Sequence, residues 1–414
     1  MRPLAIAVVV VMGRPKMPAA TLADLRRRLH TAGPPSIGYP AATDINYSPL
    51  AGIHNSIINN VGDPERNGRD PRNSKALERQ VVQQLIDVFG GNLRECWGYV
   101  TQAGSTEGNQ YGLWLGREHF PNGVVYWSSA AHFSVAKAAR ILGMSAPADS
   151  VVISTDERGE MDYDDLARAA TARADRPAII VATAGTTMTE AVDDVSRIHA
   201  ALDDSGVPGR HVHVDGALSG VPLALDGGPT AGLFSRPAAR PRAEADSVCI
   251  SGHKFFATPH INGVVLTRRR HAARVTRGVE YIADVDVTIS GSRSGHSAVE
   301  LWYALSHIGL DGHRRRAEQA RSVAAYLERR LVAAGWTAWR HSHAFTVLLK
   351  SPPPEVVARW SLATNAGWGH IICVPGLTRA TIDVFLAELG LGPGKSVRGS
   401  GPTRQNLALR AGVA

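Results

Sequence analysis

The sequence predicts an α/β fold with a mostly parallel sheet, followed by a smaller α+β region. Between residues 124 and 267, short runs rich in Val and Ile alternate with amphipathic segments. Such alternation is typical of parallel strands joined by helices that cover both faces of the sheet. After Gly295 one long helical segment replaces the alternation. We therefore expect two structural regions of different character.

Three segments precede the predicted sheet. LADLRRRL at 22–29 predicts a short amphipathic helix, and NSKALERQVVQQLIDVFG at 73–90 predicts a longer helix that ends at Gly90. Between them, residues 33–52 (GPPSIGYPAATDINYSPLAG) are rich in Gly and Pro. This stretch is too irregular for regular structure, and we expect it to form a binding loop.

Six segments are predicted to be strands, because each is short, apolar and rich in β-branched residues. They are 124–128, 151–154, 178–183, 211–215, 247–251 and 263–267. The helices predicted between them are 134–143, 162–173 and 193–204. A short link that contains Pro and Gly joins the last two strands, so we expect the final strand to run antiparallel.

The C-terminal part of the chain predicts a separate small domain. A helix at 296–334 leads into segments that suit an α+β unit, namely FTVLLK, EVVARWSLA, HIICVP and TRATIDVFLAELG. We divide the chain into an N-terminal extension and arm (1–60), a large domain (61–295), a small C-terminal domain (296–391) and a flexible tail (392–414).

Composition and charge exclude several classes of protein. With 44% hydrophobic and 20% charged residues among 414, the chain is neither disordered nor a disulfide scaffold. The formal charge of +8 comes from arginines that are spread along the chain, so we expect no nucleic-acid partner. Cys96, Cys249 and Cys373 are scattered, which favours reduced thiols and a cytoplasmic protein.

The N-terminal run MRPLAIAVVVVMG resembles the core of a signal peptide. However, Arg14 and Lys16 follow it at once, and no A-x-A cleavage pattern is present. The run is also too short to span a bilayer. We therefore expect a loose extension or a start at Met17, and no membrane partner.

Chemistry-bearing side chains follow several of the predicted strands. Asp215 ends the strand 211–215, and GHK with Lys254 follows 247–251. Ligands of such sheets bind beyond the carboxyl ends of the strands. Upstream, the small and hydroxyl-rich TQAGSTEGN precedes a helix, which suits a phosphate. An amine, a carboxylate and a phosphate cradle at one edge indicate pyridoxal phosphate as the cofactor.

A set of motifs makes a family resemblance specific. The motifs are GYP…DINYSPL, IINNVGDP, WGYVTQAGSTEGNQYGLWLGRE, YWSSAAHFSVAKAARILGM, ATAGTTMTEAVDD, HVHVDGALSG, SGHKFFATPHINGVVL and ISGSRSGH. In this order they resemble the group II pyridoxal-phosphate decarboxylases, and most of all bacterial histidine decarboxylases and plant serine decarboxylases. The resemblance runs from about residue 37 to 390. It implies a fold-type I architecture with a seven-stranded sheet in the large domain.

The resemblance also implies the catalytic residues. Lys254 matches the lysine that forms the Schiff base with the cofactor, and Asp215 matches the carboxylate that keeps the ring nitrogen protonated. His132 matches the histidine that stacks on the cofactor ring. The acid that returns a proton to the α-carbon stays open between His132, Tyr281 and the loop 279–292.

Further cofactor contacts follow from the same motifs. Ala217 would pack on the opposite ring face, and Thr187 would approach the ring hydroxyl. The phosphate candidates are Ser105, Thr106, Ser251 and His253. QAGSTEGN is one residue longer than the corresponding loop of the family, so the choice between Ser105 and Thr106 stays open. We expect no metal ligands.

The resemblance implies a decarboxylase that releases carbon dioxide and an amine from an L-amino acid, and a homodimer with active sites at the subunit interface. Histidine is the first expectation for the substrate, with serine or a branched aliphatic amino acid next. Three other functions remain open: an aminotransferase or lyase of the same fold, a metal enzyme that uses His211, His213 and Asp215, and a basic binding protein without catalysis.

Overall fold

The computed structural model of the protein describes residues 19–31, 36–235 and 243–391. The chain divides into two compact units, with the boundary between Ser36 and Ile37. Within the described part of the first unit lies helix α1 (Ala19–Thr31), which includes the helix predicted at 22–29. The flexible tail predicted at 392–414 and the loose extension predicted at residues 1–16 lie outside the described residues.

The second unit is built around a seven-stranded sheet, which confirms the predicted α/β class. The strands are β1 (Cys96–Thr101), β2 (Val124–Ser128), β3 (Ser150–Ile153), β4 (Ala178–Thr183), β5 (Arg210–Asp215), β6 (Ser247–Ser251) and β7 (Gly263–Arg268). Their order is β1-β7-β6-β5-β4-β2-β3. Neighbours from β3 to β6 pair in parallel, whereas β7 runs antiparallel to both β6 and β1. The antiparallel direction of the last predicted strand is thus confirmed.

Strand β1 was not among the six predicted from the residue pattern. Its run CWGYVT contains Gly98, and glycine inside a strand weakens the strand signal. The structure explains this glycine, because a Cβ at Gly98 would lie 2.5 Å from the carbonyl oxygen of Val265 in β7. Gly98 therefore permits the close pairing of β1 with β7.

Helices cover both faces of the sheet. They are α2 (Lys75–Val88), α3 (Ser105–His119), α4 (Ser134–Ile141), α5 (Tyr163–Thr171), α6 (Val195–Ser205), α7 (Gly220–Leu225), α8 (Gly252–Phe255) and α9 (Arg269–Val275). Successive strand residues enter different hydrophobic clusters, as expected for a sheet buried on both sides. Ile180 packs in the cluster that contains residues of α2, α5 and α6, whereas Ile179 packs with residues of α3 and α4.

Helix α3 lies unusually close to the sheet because of a glycine stripe at helical spacing. Added Cβ atoms at Gly108, Gly112 and Gly116 would lie 2.3 Å from Cys249, 2.2 Å from the His213 ring and 2.6 Å from Ile179. These three glycines share one helix face, so the helix backbone rests directly on β4, β5 and β6. This close approach places the side chains at the start of α3 beside the carboxyl end of β5.

After a two-stranded ribbon of β8 (Arg277–Val279) and β9 (Asp284–Asp286), the chain enters the C-terminal region. Helix α10 (Gly295–Ala333) confirms the long predicted helix and bends at Gly309, where φ is 71° and ψ is 161°. The remaining elements are β10 (Ala338–Trp339), β11 (Thr346–Lys350), α11 (Pro354–Arg359), β12 (Ala363–Asn365), β13 (Trp368–Ile372) and α12 (Arg379–Glu388).

The four short strands form an antiparallel sheet in the order β10-β11-β13-β12. A second hydrophobic cluster, which includes Leu327, Val347 and Phe385, packs this sheet against α10 and α12. The region is α+β in character, and the predicted domain boundaries at 60, 295 and 391 stay a prediction. No helix among the described residues has the length and apolarity needed to cross a membrane.

Candidate active site

A cavity of about 460 Å³ opens at the carboxyl ends of the central strands. The nine residues predicted to form the cofactor site all line it, although they come from distant parts of the sequence. They are Ser105, Thr106, His132, Thr187, Asp215, Ala217, Ser251, His253 and Lys254. The topology therefore brings the predicted amine, carboxylate, imidazoles and hydroxyls into one space.

Lys254 projects into the cavity from the short helix α8, which begins directly after β6. Burial lowers the pKa of the Lys254 amine, and the nearby Asp215 carboxylate opposes this shift by raising it. A lowered pKa increases the fraction of uncharged amine, which is the form that attacks a carbonyl group. Lys254 thus has the environment of a nucleophilic lysine.

Asp215 is the last residue of β5, and its side chain is buried at the base of the cavity. Its Oδ2 accepts a hydrogen bond of 2.7 Å from Asn109 Nδ2, and its Oδ1 accepts one of 3.1 Å from the backbone N–H of Ala217. Asn109 lies on α3, the helix that the glycine stripe brings close to β5. Both carboxylate oxygens are therefore fixed in orientation.

The same asparagine is linked to His132 through Ser134. Asn109 Nδ2 donates to Ser134 Oγ at 2.9 Å, and Ser134 Oγ lies 2.8 Å from His132 Nδ1. The backbone N–H of Ser134 also donates to His132 Nδ1 at 3.3 Å. Because Nδ1 accepts these hydrogen bonds, the neutral ring carries its proton on Nε2. Burial lowers the pKa of His132, which favours this neutral form.

His213 completes the buried network on the other side of Asn109. Its Nε2 lies 3.0 Å from Asn109 Oδ1, and its Nδ1 lies 2.8 Å from Ser247 Oγ. Burial lowers the pKa of His213 to about 3, so the ring is neutral at pH 7. Both ring nitrogens are occupied by hydrogen bonds, which leaves neither for a metal. The open alternative of a metal set formed by His211, His213 and Asp215 therefore does not fit this geometry.

The phosphate candidates gather where α3 begins. Ser251 Oγ accepts a hydrogen bond from the backbone N–H of Ser105 at 3.1 Å and donates to Ser105 Oγ at 3.0 Å. Gly104, the residue before α3, has no side chain to cap the helix, and Ser251 binds only the first N–H group, that of Ser105. The N–H groups at the start of a helix attract anions. Gly104 precedes the helix with φ +61°, and a Cβ there would lie 2.9 Å from His253 Cε1. Gly104 thus leaves open the space of the cradle, which the side chain of a larger residue would fill.

The two threonines of the GTT segment have different environments. Thr186 Oγ1 lies 2.8 Å from Thr189 Oγ1 and accepts a hydrogen bond from the Ala191 N–H, so it stabilises the turn. Thr187 lines the main cavity. It also lines an adjoining cavity of about 310 Å³ that contains Leu348 and Trp368. Thr186 lines both spaces as well, but its hydroxyl is engaged within the turn.

Several residues of the site were missed in the sequence. Asn109 and Ser134 join Asp215 to His132, and their signal was only their place in the STEGN and HFS motifs. Thr346 and His370 line the cavity from outside the central sheet, where no motif located them, whereas Tyr39 lines it from the predicted binding loop 33–52.

Two residues proposed to return a proton to the α-carbon, His132 and Tyr281, differ in their position relative to the cavity. His132 lines the cavity, whereas the Tyr281 side chain is 87% exposed and is absent from the cavity lining described for its own chain.

The donors fit pyridoxal phosphate. A lysine amine suits the aldehyde of the cofactor, a buried carboxylate suits its ring nitrogen, and hydroxyls at a helix start suit its phosphate. The space that Gly104 leaves open lies beside Ser251 and His253, where a phosphate would have to enter. The chemistry of the site and the shape of the cradle therefore agree.

Comparisons with known proteins add independent information. Residues 118–338 match the family model of the pyridoxal-dependent decarboxylase conserved domain. The histidine decarboxylase of Mesorhizobium japonicum is 39% identical over 353 residues, which cover 85% of this chain and 92% of that protein. Serine decarboxylase 1 of Oryza sativa subsp. japonica is 36% identical over 373 residues, or 90% of this chain and 75% of that protein.

A similar fold is found among solved structures. The L-methionine decarboxylase from Streptomyces sp. 590 superposes with a TM-score of 0.77 and 24% sequence identity, and the match covers 90% of this chain and 94% of that one. At this identity the likeness concerns the fold. It confirms the fold-type I architecture that the motifs imply.

Proposed function

Since this chain belongs to the pyridoxal-dependent decarboxylase family, and is thus a carboxy-lyase that uses pyridoxal phosphate, we propose that it converts L-histidine into histamine and carbon dioxide. The observation that carries the choice of histidine is the 39% identity to a histidine decarboxylase over 92% of that protein's length. Serine is the second candidate, because serine decarboxylase 1 is 36% identical over 90% of this chain.

The lining of the two adjoining cavities supports an uncharged polar substrate. Thr346 and His370 line the main cavity on the side of the C-terminal region. The Thr346 hydroxyl donates to Glu190 and can still accept a hydrogen bond, whereas both His370 ring nitrogens lie 3.3 Å from backbone carbonyls and the ring offers its face. Asn365 and Trp368 of the adjoining cavity offer an amide and an aromatic face. A neutral imidazole side chain can donate one hydrogen bond, accept another and stack on an aromatic ring, so this set of groups suits it.

Two side chains are assigned to the chemical step. Bound pyridoxal phosphate supplies an electron sink for the pair released when the carboxylate leaves as carbon dioxide. Lys254 would hold the cofactor covalently through its amine and release it when the substrate amine takes its place. Asp215 would accept a hydrogen bond from the protonated ring nitrogen, because its carboxylate is buried, oriented and aimed into the cavity.

The remaining site residues would orient the cofactor. His132 and Ala217 would pack on its two faces, and Thr187 would approach the ring hydroxyl. Ser105, Thr106, Ser251 and His253 would bind the phosphate. The hydrogen bond between Ser251 and Ser105 supports this assignment, because it joins β6 and α3 around one small space.

The proposal includes a homodimer whose interface lies near the cavity. Tyr39, Phe133 and Ile261 line the cavity and are 51%, 66% and 54% exposed. The family resemblance implies that the loops 37–62 and 279–293 reach the partner's cofactor, and within them Ile57 and Tyr281 are 70% and 87% exposed. Exposed apolar side chains grouped around a site are typical of a protein interface. Light scattering coupled to gel filtration should give twice the chain mass of 44.1 kDa.

We also propose that the enzyme works in the cytoplasm. Cys96, Cys249 and Cys373 are all buried free thiols, which is the state expected in a reducing compartment. Cell fractionation with an antibody against the chain would test this placement. Recovery in an extracytoplasmic fraction would contradict it.

The proposed activity is tested with purified protein, added pyridoxal phosphate and a panel of single L-amino acids, with products identified by mass spectrometry. We expect histamine from histidine, and Lys254→Ala serves as the blank because it lacks the reactive amine. If the enzyme forms ethanolamine from serine with a higher kcat/KM than histamine from histidine, serine would replace histidine as the proposed substrate. A keto acid, with no amine and no carbon dioxide, would contradict decarboxylation altogether.

A further inference from the structure

Three histidines from three different elements meet at the opposite end of the sheet from the cavity. His119 is the last residue of α3, His211 lies near the start of β5, and His271 lies on α9. One ring nitrogen from each lies within 4.8 Å of the others. His211 and His271 are fully buried. We call this group the three-histidine cluster.

Four of the six ring nitrogens of the cluster are buried and lack hydrogen-bond partners among the described residues. They are Nδ1 and Nε2 of His211, Nδ1 of His119 and Nδ1 of His271. His211 Nδ1 lies 3.9 Å from Asp246 Oδ2, beyond hydrogen-bond distance. Leaving a buried polar atom unsatisfied costs about 1–3 kcal/mol, and such atoms are rare in folded proteins. Several of them pointing into one small space indicate that a ligand belongs there.

Asp246 orients one ring of the cluster. His271 Nε2 lies 2.8 Å from Asp246 Oδ1, and because a carboxylate only accepts, Nε2 carries the proton. Arg270 Nε lies 3.2 Å from the same nitrogen, a longer contact, and Arg270 also forms an ion pair with Asp246. The lone pair of His271 Nδ1 is therefore left for the cluster. A carboxylate behind a histidine is the usual support of a metal-binding imidazole.

We propose that His119, His211 and His271 bind a divalent transition metal ion of the zinc class. Three neutral imidazoles with water as a fourth ligand make a common tetrahedral zinc environment. With bonds of about 2.1 Å in tetrahedral geometry, nitrogens that now lie within 4.8 Å of one another must approach by up to roughly 1.4 Å. The half-buried His119, at the end of its helix, has the most freedom to move toward the two buried rings.

Zinc bound by three imidazoles and a water keeps one open position, but the cluster lies away from the cavity, so we assign the metal to holding the fold. It would tie the end of α3 to β5 and α9, while the start of α3 carries Ser105 and Thr106 of the phosphate cradle. Asp215 lies four residues beyond His211 on β5, or roughly 13 Å at the usual rise of a strand. The metal would therefore fix the helix that bears the cradle without touching the reacting groups.

Metal analysis of tag-free holoenzyme, loaded with zinc and then passed over a chelating resin, tests the proposal. We expect one equivalent of zinc per chain. Both His119→Ala and His211→Gln should retain less than a tenth of that amount, and the matched control His199→Gln should retain all of it. His199 is a half-buried histidine whose ring contacts the Glu244 carbonyl and Arg210 instead.

A second readout uses cobalt in place of zinc. The wild-type protein loaded with Co²⁺ should show the intense visible bands of a tetrahedral site, and His119→Ala should not. His119 ends its helix and is only half-buried, so this variant remains informative even if His211→Gln does not fold. Less than a tenth of an equivalent of zinc in the wild type, or equal zinc in His119→Ala, would overturn the proposal. Neither result depends on decarboxylase activity.

Discussion

Asn109 and Asp215 form the central contact of the site: Asn109 Nδ2 donates a hydrogen bond of 2.7 Å to Asp215 Oδ2. The same amide group donates to Ser134 Oγ, and its carbonyl oxygen lies 3.0 Å from His213 Nε2. One buried side chain on α3 thus uses its donors and its acceptor to connect β5 with the segment that carries His132. Asn109 is a positioning residue, because it acts through Asp215 and Ser134.

Replacing Asn109 with Ala should lower kcat by about 10- to 100-fold, since a hydrogen bond to a charged group contributes about 1.5–3 kcal/mol. Asn67→Ala is the control, because Asn67 is exposed and its Oδ1 accepts a hydrogen bond of 3.3 Å from Arg79 away from the cavity. Steady-state kinetics with saturating cofactor measures both. An Asn109→Ala enzyme within twofold of wild type would show that Asp215 keeps its position without this contact.

Ser134→Ala should separate the two branches of the network. It removes the hydroxyl that lies 2.8 Å from His132 Nδ1 but leaves the contact between Asn109 and Asp215 in place. We expect a five- to tenfold lower kcat, a cofactor Kd within twofold of wild type, and recovery of most activity in Ser134→Thr. Loss of the same size in Ser134→Thr would mean that packing, and not the hydroxyl, is what matters.

Gly104→Ala should weaken cofactor binding by at least tenfold. Its φ of +61° disfavours any side chain, and the added Cβ would lie 2.9 Å from His253 Cε1 within the phosphate cradle. Gly143→Ala is the control, because Gly143 has φ +73° but nothing within 4 Å of an added Cβ. Fluorescence titration with pyridoxal phosphate should give a normal Kd for the control. An unchanged Kd in Gly104→Ala would show that this part of the chain does not bind the phosphate of the cofactor.

Acid should destabilise the protein partly through His313. Burial lowers the pKa of His313 to about 4, whereas an unfolded histidine has a pKa of about 6.5. Between these values the unfolded chain binds the proton and the folded chain does not, so stability falls as the pH falls. From pH 7 to pH 5 this one group should cost about 2 kcal/mol.

His313→Gln removes this titration and keeps a donor for the Ala304 carbonyl, which lies 3.0 Å from His313 Nε2. We therefore expect the free energy of unfolding, measured with urea, to fall less between pH 7 and pH 5 in the variant than in the wild type, by about 2 kcal/mol. Equal losses in the two proteins would show that His313 becomes charged in the folded state.

The residue pattern predicted the sheet and helices well where strands are apolar and helices are amphipathic. Asp162 and Asp194, for example, accept hydrogen bonds from N–H groups at the start of α5 and α6, as their place before amphipathic runs suggests. Strand β1 was not predicted, because Gly98 weakens the strand pattern and is explained only by its close contact with β7. That contact joins residues far apart in the sequence, so no local pattern contains it.

In the site, too, residues marked by a local sequence pattern were predicted, and residues whose role depends on distant contacts were not. Asp215 ends β5 and Lys254 follows shortly after β6. The rule for strand ends therefore located both, and the family motifs supplied His132 and the hydroxyls. Asn109 was not located, because its role depends on how closely α3 approaches β5. The glycines that allow this approach, Gly108, Gly112 and Gly116, are a visible pattern with helical spacing. Their meaning becomes clear only when the facing strands are known.

The most direct test of the account is to reduce the holoenzyme with borohydride and to map the modified lysine by peptide mass spectrometry. The chain has six lysines, so the result discriminates among them. We predict one stably attached pyridoxyl group per chain, on Lys254, and none in Lys254→Ala. A pyridoxyl group on any other lysine, or one that persists in Lys254→Ala, would contradict the proposed site.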